Sequence, residues 1–93
     1  MKINLNPNPN PVSDSERDEK VAAGGFGKYY TDHMVVCEWT ESTGWQEPEL
    51  KPYGPLTLDP ATAVFHYGQE IFEGMKAYRQ PDGGISLFRP EAN

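Results

Sequence analysis

The residues whose types are best suited to binding or catalysis lie in one stretch, residues 66–78, which reads HYGQEIFEGMKAY. It combines aromatic, glycine and charged residues more densely than any other part of the chain. Tyr67 and Phe72 offer flat apolar walls, the usual lining of a pocket for a small aliphatic group. Gly74 would let a ligand approach the backbone closely. The stretch therefore indicates recognition of a small molecule rather than catalysis.

Each of these residues also has an ordinary structural interpretation. Phe72 on a strand would be a core side chain. Glu73 and Lys76 would be a solvated or structural pair rather than groups that orient a ligand. Tyr67, beside a glycine, fits a pocket wall and a structural role equally well. The residues by themselves therefore specify no reaction.

Two other residues that often carry chemistry lie upstream. His33 sits between Asp32 and Met34 inside a predicted strand, which favours a hydrogen-bonded structural role. Cys37 has no basic neighbour that would activate its thiol, so we expect a small core side chain and not a nucleophile. No spacing of Cys and His suits a metal ion.

The bulk composition argues against several classes of function. A formal net charge of −6 at pH 7 and a pI near 4.7 disfavour binding to nucleic acid or to an anionic membrane. No apolar run approaches the roughly 20 residues of a membrane span, and the amino terminus lacks the apolar segment of a secretory signal. A single Cys fits a reducing compartment, so a cytoplasmic protein is expected.

Residues 1–25 are expected to form a disordered tail. They contain three Asn-Pro steps and then SDSERDEK, with almost no large apolar residue. Such a segment buries too little surface to offset an ordering cost of roughly 1–2 kcal/mol per residue. Residues 26–93 remain as an incomplete small domain. Because so short a domain usually needs a disulfide or a metal, we expect it to lean on a further part of its chain or on a partner.

The first part of this domain is predicted to be β structure. The segment KYYTDHMVVCEW is rich in strand-forming residues, and its middle, residues 34–37, is expected to be buried on both faces. A polar turn at residues 40–44 leads to a short second strand at residues 45–52. The prolines of that second strand predict an edge strand or an irregular extended segment. Together the two segments predict an antiparallel hairpin.

A short helix is predicted before the central stretch. The Asp-Pro step at residues 59–60 can cap and start a helix, so residues 61–66 should be helical. The helix could continue to Tyr78, because apolar residues recur near a period of 3.6. Gly68 and Gly74, however, would each cost about 1 kcal/mol inside it.

The preferred interpretation ends the helix at a glycine elbow. A strand would then begin near Glu70, because residues 81–84 are a strong turn signal that needs a strand on both sides. The second strand is predicted at residues 85–89, and residues 90–93 begin another helix. The expected fold class is mixed α/β (α+β), with antiparallel hairpins and a short helix.

Taken together, these segments resemble a known family. The run FGKYYTDHMVVCEW…GW…LTLDPATAVFHYGQEIFEGMKAY…DGGISLFRPEAN, within residues 26–93, closely resembles the amino-terminal part of branched-chain amino-acid aminotransferases. HYGQEIFEGMKAY followed by LFRP is highly specific for that family. Its members are homodimeric fold-type IV enzymes that depend on pyridoxal 5'-phosphate. The resemblance implies the amino-terminal part of the small domain of such an enzyme.

The resemblance also implies roles for individual residues. Tyr67 matches an aromatic residue that reaches across the dimer interface into the neighbouring subunit's pocket. Phe72 matches a residue that lines the pocket of its own subunit, and Gly74 and Lys76 fall where some members contact substrate. A pocket for leucine, isoleucine or valine needs such apolar walls, because burying one of these side chains contributes about 1.5–3 kcal/mol.

The resemblance assigns no catalytic and no cofactor-binding residue to this sequence. In the family a Lys forms a Schiff base with the cofactor and then moves a proton. None of the five lysines matches that position, and the Arg that grips the cofactor phosphate is expected shortly after Asn93. We therefore expect a fragment that carries part of the pocket without the catalyst. The lysines are Lys2, Lys20, Lys28, Lys51 and Lys76.

The implied reaction is reversible amino transfer between a branched-chain amino acid and 2-oxoglutarate. Two alternatives stay open. One is another fold-type IV enzyme, such as a D-amino-acid aminotransferase or an aminodeoxychorismate lyase. The other is a non-enzymatic small β-rich interaction module, which would fold on its own.

Overall fold

A computed structural model describes all 93 residues as two units. The amino-terminal unit is Met1–Leu56 and the carboxy-terminal unit is Thr57–Asn93. This division does not coincide with the predicted boundary after residue 25. The assignment of residues 26–93 to one incomplete domain stays a prediction.

The amino-terminal unit is built on a small mixed sheet. Strand β5 lies in its centre, parallel to β1 on one side and antiparallel to β2 on the other. Strands β3 and β4 form a separate two-stranded hairpin around the predicted polar turn. The antiparallel pairing of the two predicted segments is confirmed. The elements are β1 (Asn4–Leu5), α1 (Asp14–Ala23), β2 (His33–Val36), β3 (Trp39–Thr40), β4 (Gly44–Trp45) and β5 (Glu49–Pro52).

The position of β5 differs from the prediction. Its prolines suggested an edge strand, yet β5 is the central strand of its sheet. Pro48 and Pro52 lie at its two ends, where a missing N–H removes no bond from the middle of the ladder. Toward β1, Pro48 takes part through its carbonyl oxygen, which accepts the N–H of Asn4 and requires no N–H of its own. The edge prediction is therefore wrong, because the positions of the prolines matter more than their number.

Residues 1–25 carry two elements in place of the predicted disordered tail. Helix α1 begins after Ser13, whose Oγ accepts the N–H of Glu16 at 3.2 Å. Acidic residues in the first turn also suit the positive end of the helix dipole. Lys20 lies 2.7 Å from Glu16, one helical turn away. Because no residue of α1 is buried, these polar interactions account for a helix that apolar content does not predict.

The carboxy-terminal unit begins with the predicted short helix. Helix α2 spans Ala63–Tyr67, slightly later than predicted. Asp59 does not cap it directly: its Oδ1 accepts the N–H of Ala61 at 2.7 Å and forms the turn that leads in. Gly68 then ends α2 in the left-handed conformation, with φ 55° and ψ 33°, which confirms the predicted elbow.

The predicted hairpin follows. Strands β6 (Ala77–Arg79) and β7 (Ile85–Leu87) pair antiparallel, and a 3-10 helix, Pro90–Ala92, follows them. The first strand begins at Ala77 and not near Glu70, as the sequence predicts. The physical reason is that β7 offers only three partner residues, so residues 69–76 have no strand to pair with.

The chain buries almost no side chain. Pro48 is its only buried residue, and no aliphatic or aromatic side chain is buried. Its accessible surface is 8632 Å², whereas a compact protein of 10.4 kDa exposes about 5,400 Å² and two separate compact halves about 6,500 Å². Burial of residues 34–37 on both faces is therefore wrong, since Val35 is 58% exposed.

Replacing Gly83 by Ala should weaken the β6–β7 hairpin. Gly83 has φ 86°, where a Cβ costs roughly 1–2 kcal/mol, although no atom lies within 4 Å to clash with it. The N–H of Gln80, which donates to Gly84 O at 2.8 Å, should exchange with solvent faster by NMR. Gly54→Ala is the control. No atom lies within 4 Å of a Cβ built on Gly54, and its φ is not in the left-handed region. Equal exchange in both variants would contradict the backbone argument.

Helix α1 should lose helical content at alkaline pH. The hydrogen bond that the Lys20 ammonium donates to the Glu16 carboxylate raises the pKa of Lys20 above its usual 10.5. Because the folded pKa is the higher one, the pair stabilises α1 fully below about pH 10.5 and is lost as pH rises through the folded value. Circular dichroism over the alkaline range measures this loss. Glu16→Gln should abolish it, and Glu19→Gln on the same helix should not.

Candidate functional site

The candidate site is the stretch of residues 66–78 in the carboxy-terminal unit. It starts at the end of α2, runs through residues 69–76 without a partner strand, and enters β6. Few hydrogen bonds hold its backbone. The N–H of Glu70 donates to Gly68 O at 2.9 Å, and Asn93 Nδ2 donates to Gly74 O at 2.9 Å. The stretch therefore presents its side chains from a loop and not from a regular strand.

The end of α2 positions Tyr67. His66 Nε2 lies 2.7 Å from Pro60 O, which ties the last turn of α2 to the turn before it. Gly68 directs the chain away from the helix axis at a positive φ that strains most other residues. Tyr67 between them is 84% exposed, so no neighbour in the chain restrains its ring by burial.

The four predicted substrate-binding residues are all exposed. Phe72 is 89% exposed, and no atom lies within 4 Å of a Cβ built on Gly74. The cavity of this unit, about 520 Å³, lies along the β6–β7 hairpin and includes none of the four. The structure thus leaves these residues open to solvent and encloses none of them in a pocket. They are Tyr67, Phe72, Gly74 and Lys76.

Glu73 and Lys76 do not pair with each other. Glu73 Oε1 instead accepts the N–H of Gly74 at 3.1 Å. All ion pairs of the chain lie on α1. The paired alternative is therefore wrong, and Lys76 keeps its ammonium group free of acidic partners. Its role toward a ligand stays a prediction.

Large apolar side chains are unusually exposed in and around the stretch. Ile71 is 95% exposed and Met75 is 62% exposed. Side chains of this kind, close together in sequence and open to water, mark a surface that contacts protein or ligand. The sequence predicts a pocket wall only for Tyr67 and Phe72, because the exposure of Ile71 and Met75 cannot be read from the residue type. The exposed members include Phe65, Tyr67, Ile71, Phe72, Met75, Ile85 and Phe88.

The two upstream candidates have different outcomes. His33 Nε2 accepts the N–H of Asn8 at 2.9 Å, which confirms its hydrogen-bonded role. Cys37 is exposed, and its Sγ donates to Gln46 O at 3.2 Å, so the predicted core position is wrong. It lies just beyond the end of β2, where nothing covers the strand. No group of His, Cys, Asp and Glu could hold a metal ion, and no helix is long and apolar enough to cross a membrane.

A cavity of about 660 Å³ lies in the amino-terminal unit. It forms between α1 and residues 29–33, so it could not be predicted without α1. Its two cations come from Arg17 and Lys20, which are paired with acidic residues of their own helix. The cavity therefore offers no unpaired cation to recognise an anionic ligand.

Comparison with known proteins identifies relatives for the whole chain, although no family model matches it. It is 59% identical over 91 residues to a probable branched-chain-amino-acid aminotransferase of Streptomyces coelicolor, covering 98% of this chain and 25% of that protein. It is 54% identical over 93 residues to the branched-chain-amino-acid aminotransferase of Mycolicibacterium smegmatis, covering 100% and 25%. The cytosolic enzyme of Saccharomyces cerevisiae is 59% identical over 68 residues, covering 73% and 18%.

All of these relatives are aminotransferases by name, and the two bacterial matches include residues 66–78. The predicted resemblance is confirmed: the chain belongs to the branched-chain-amino-acid aminotransferase family. It spans about a quarter of the length of the bacterial relatives it matches.

The apolar surface of the stretch should be open to a hydrophobic dye. Ile71 and Phe72 pack against little, so the double change Ile71→Ser with Phe72→Ser should lower the fluorescence of bound anilinonaphthalene sulfonate. The free energy of unfolding should change by less than about 0.5 kcal/mol. Met34→Ser, at a half-buried position of β2, should have the opposite effect on fluorescence, because it loosens the sheet. Unchanged dye binding in the double variant would contradict the exposure.

Proposed function

We propose that the full-length protein transfers an amino group reversibly between a branched-chain amino acid and 2-oxoglutarate. The observation that carries this proposal is the 59% identity over 98% of the chain to a relative named for this class of reaction. The amino acids are leucine, isoleucine and valine, and the cofactor is pyridoxal 5'-phosphate. The protein would act as a fold-type IV homodimer in the cytoplasm. The hairpins and short helices of the mixed α+β structure are compatible with that fold.

In this proposal, residues 66–78 form one wall of the substrate pocket. Phe72 contacts the aliphatic side chain of the substrate, and Tyr67 serves the pocket of the neighbouring subunit. Gly74 has no side chain and so lets the substrate approach the backbone closely, and Lys76 binds a polar group of the substrate. Their exposure supports this role, because none of the four is used to pack the unit itself. Each apolar contact would contribute about 1.5–3 kcal/mol to binding.

Two of the five lysines lie in surroundings that do not favour a Schiff base with pyridoxal phosphate. A Lys that forms a Schiff base must lose its proton, which burial or a neighbouring cation favours. Lys20 has the opposite environment, since Glu16 raises its pKa. The Nζ of Lys28 lies 5.3 Å from the centre of the Tyr29 ring, in a cation–π contact that needs the charged ammonium. We therefore place the cofactor and its Lys in the part of the relatives' length that this chain does not cover.

The lack of a core disfavours the alternative of an independent interaction module. A module would fold cooperatively on its own, and a chain with no buried aliphatic or aromatic residue has little to drive such a transition. A sharp thermal transition of the 93-residue chain would favour the module. Activity of the full-length protein toward D-amino acids or aminodeoxychorismate would favour another fold-type IV enzyme.

Phe72→Ala in the full-length protein should lower kcat/KM for leucine by about tenfold to a hundredfold, which corresponds to the loss of one buried apolar wall. The main change should be in KM, because Phe72 touches no reacting group in this proposal. Glutamate formation from 2-oxoglutarate measures the rate. The control is Phe26→Ala, the same change at a residue that is 101% exposed and outside the stretch.

Two results would count against these assignments. An unchanged kcat/KM in Phe72→Ala would remove the stretch from the pocket. A wild-type protein that is loaded with cofactor and transfers no amino group from leucine, isoleucine or valine would contradict the function itself.

A further inference from the structure

The segment of residues 3–12, here called the strap, is fastened to the sheet of the amino-terminal unit. In its first half, β1 lies parallel to β5. The N–H of Asn4 donates to Pro48 O at 2.9 Å and the N–H of Asn6 to Leu50 O at 2.8 Å. These bonds use carbonyl oxygens on the open side of β5. The strap thus covers what would otherwise be an unpaired sheet edge.

The second half of the strap is fastened by two residues at the start of β2. The N–H of Asn8 donates to His33 Nε2 at 2.9 Å, and Asn8 Nδ2 donates to Asp32 O at 3.4 Å. The N–H of Val12 donates to Asp32 Oδ1 at 3.2 Å. Asn8 and Val12 are the only half-buried residues among the first nineteen, and the others are exposed. These contacts therefore hold the second half of the strap, which lies beyond the end of β1, against the start of β2.

The bond between Asn8 and His33 fixes the protonation state of the imidazole. A backbone N–H can only donate, so Nε2 of His33 must present a lone pair. The ring is then neutral, with its one proton on Nδ1. A second proton, taken from solvent onto Nε2, would place two donors against each other and break the bond. Imidazole is the side chain whose charge ordinarily changes between about pH 5 and 8.

The ring of His33 is accessible to water. It is half-buried and lines the cavity of about 660 Å³, which gives water access to the ring. Asp32 brings an acidic group to this cavity, and Arg17 and Lys20 bring basic groups from α1. Strand β5 places the uncharged Pro52 opposite His33, and the strap carries no ionisable side chain. The ionisable groups that line the same cavity are Arg17, Lys20, Tyr29 and Asp32.

We propose that His33 is a pH-dependent latch for the strap. Neutral His33 holds residues 3–12 on β5 and β2, and protonated His33 releases them. The direction follows from the bond, because only the neutral ring accepts the N–H of Asn8. Release exposes the Pro48 and Leu50 carbonyl oxygens that β1 covers, and so opens the edge of β5 to another strand. The latch does not depend on the proposed enzymatic function.

Hydrogen exchange of the intact protein at about pH 7.5 and about pH 5.5 tests the latch. After correction for intrinsic rates, the amides of Asn4, Asn6 and Asn8 should exchange about fivefold to tenfold faster at the lower pH. His33→Gln should keep the strap protected at both values, because its Oε1 accepts an N–H without titrating. His33→Phe, with no acceptor, should leave the strap unprotected at both.

His66→Gln is the matched control, since His66 is the only other histidine and contacts Pro60. It should keep the wild-type pH dependence. Equal protection of the wild-type strap at both pH values overturns the latch. A dependence that persists in His33→Gln also overturns it. It would point to a carboxylate that accepts from the strap, either Asp32 or Glu47, whose Oε2 accepts Asn4 Nδ2 at 3.2 Å. Nitrogen NMR of the wild-type His33 ring is a second readout. Strap release that does not follow protonation of this ring would also overturn the latch.

Discussion

Backbone hydrogen bonds across short ladders hold this structure together, because hardly any apolar surface is buried. The ladders are two to four residues long, and Pro48 is the only buried residue. A hydrogen bond contributes a net stabilisation of about 0.5–1.5 kcal/mol, whereas ordering each backbone residue costs roughly 1–2 kcal/mol. The ladders alone therefore do not offset the cost of ordering. The missing stabilisation has to come from burying the exposed apolar side chains against another surface.

This constraint explains the character of the candidate site. A loop that packed its aromatic residues inside its own unit would have none to offer a ligand or a partner. Residues 69–76 instead make few hydrogen bonds, and Phe72 is 89% exposed. The glycine elbow at Gly68 and the hairpin from Ala77 hold the two ends of the loop while its side chains stay open. Family membership gives this arrangement its meaning, since the loop by itself specifies no reaction.

Elements with local signals could be predicted, and those that depend on distant segments could not. The elbow at Gly68 and the turn before β7 follow from glycine and proline conformation within a few residues. The central position of β5 was missed, because the parallel strand that pairs with it lies more than forty residues earlier. Helix α1 was missed for another reason. Its signals, the cap at Ser13 and the Glu16–Lys20 pair, are local but polar, so apolar content does not reveal them.

The amino-acid sequence by itself determined the family, the turns, the elbow and the mixed fold class. It did so because motif identity and backbone preference are properties of neighbouring residues. Only the tertiary structure decided which strand lies centrally, which aromatic side chains remain exposed, and which group meets His33. The donor to His33 comes from Asn8, 25 residues away along the chain. Contacts at such separations depend on how the backbone is paired in space, and residue type alone carries no record of that pairing.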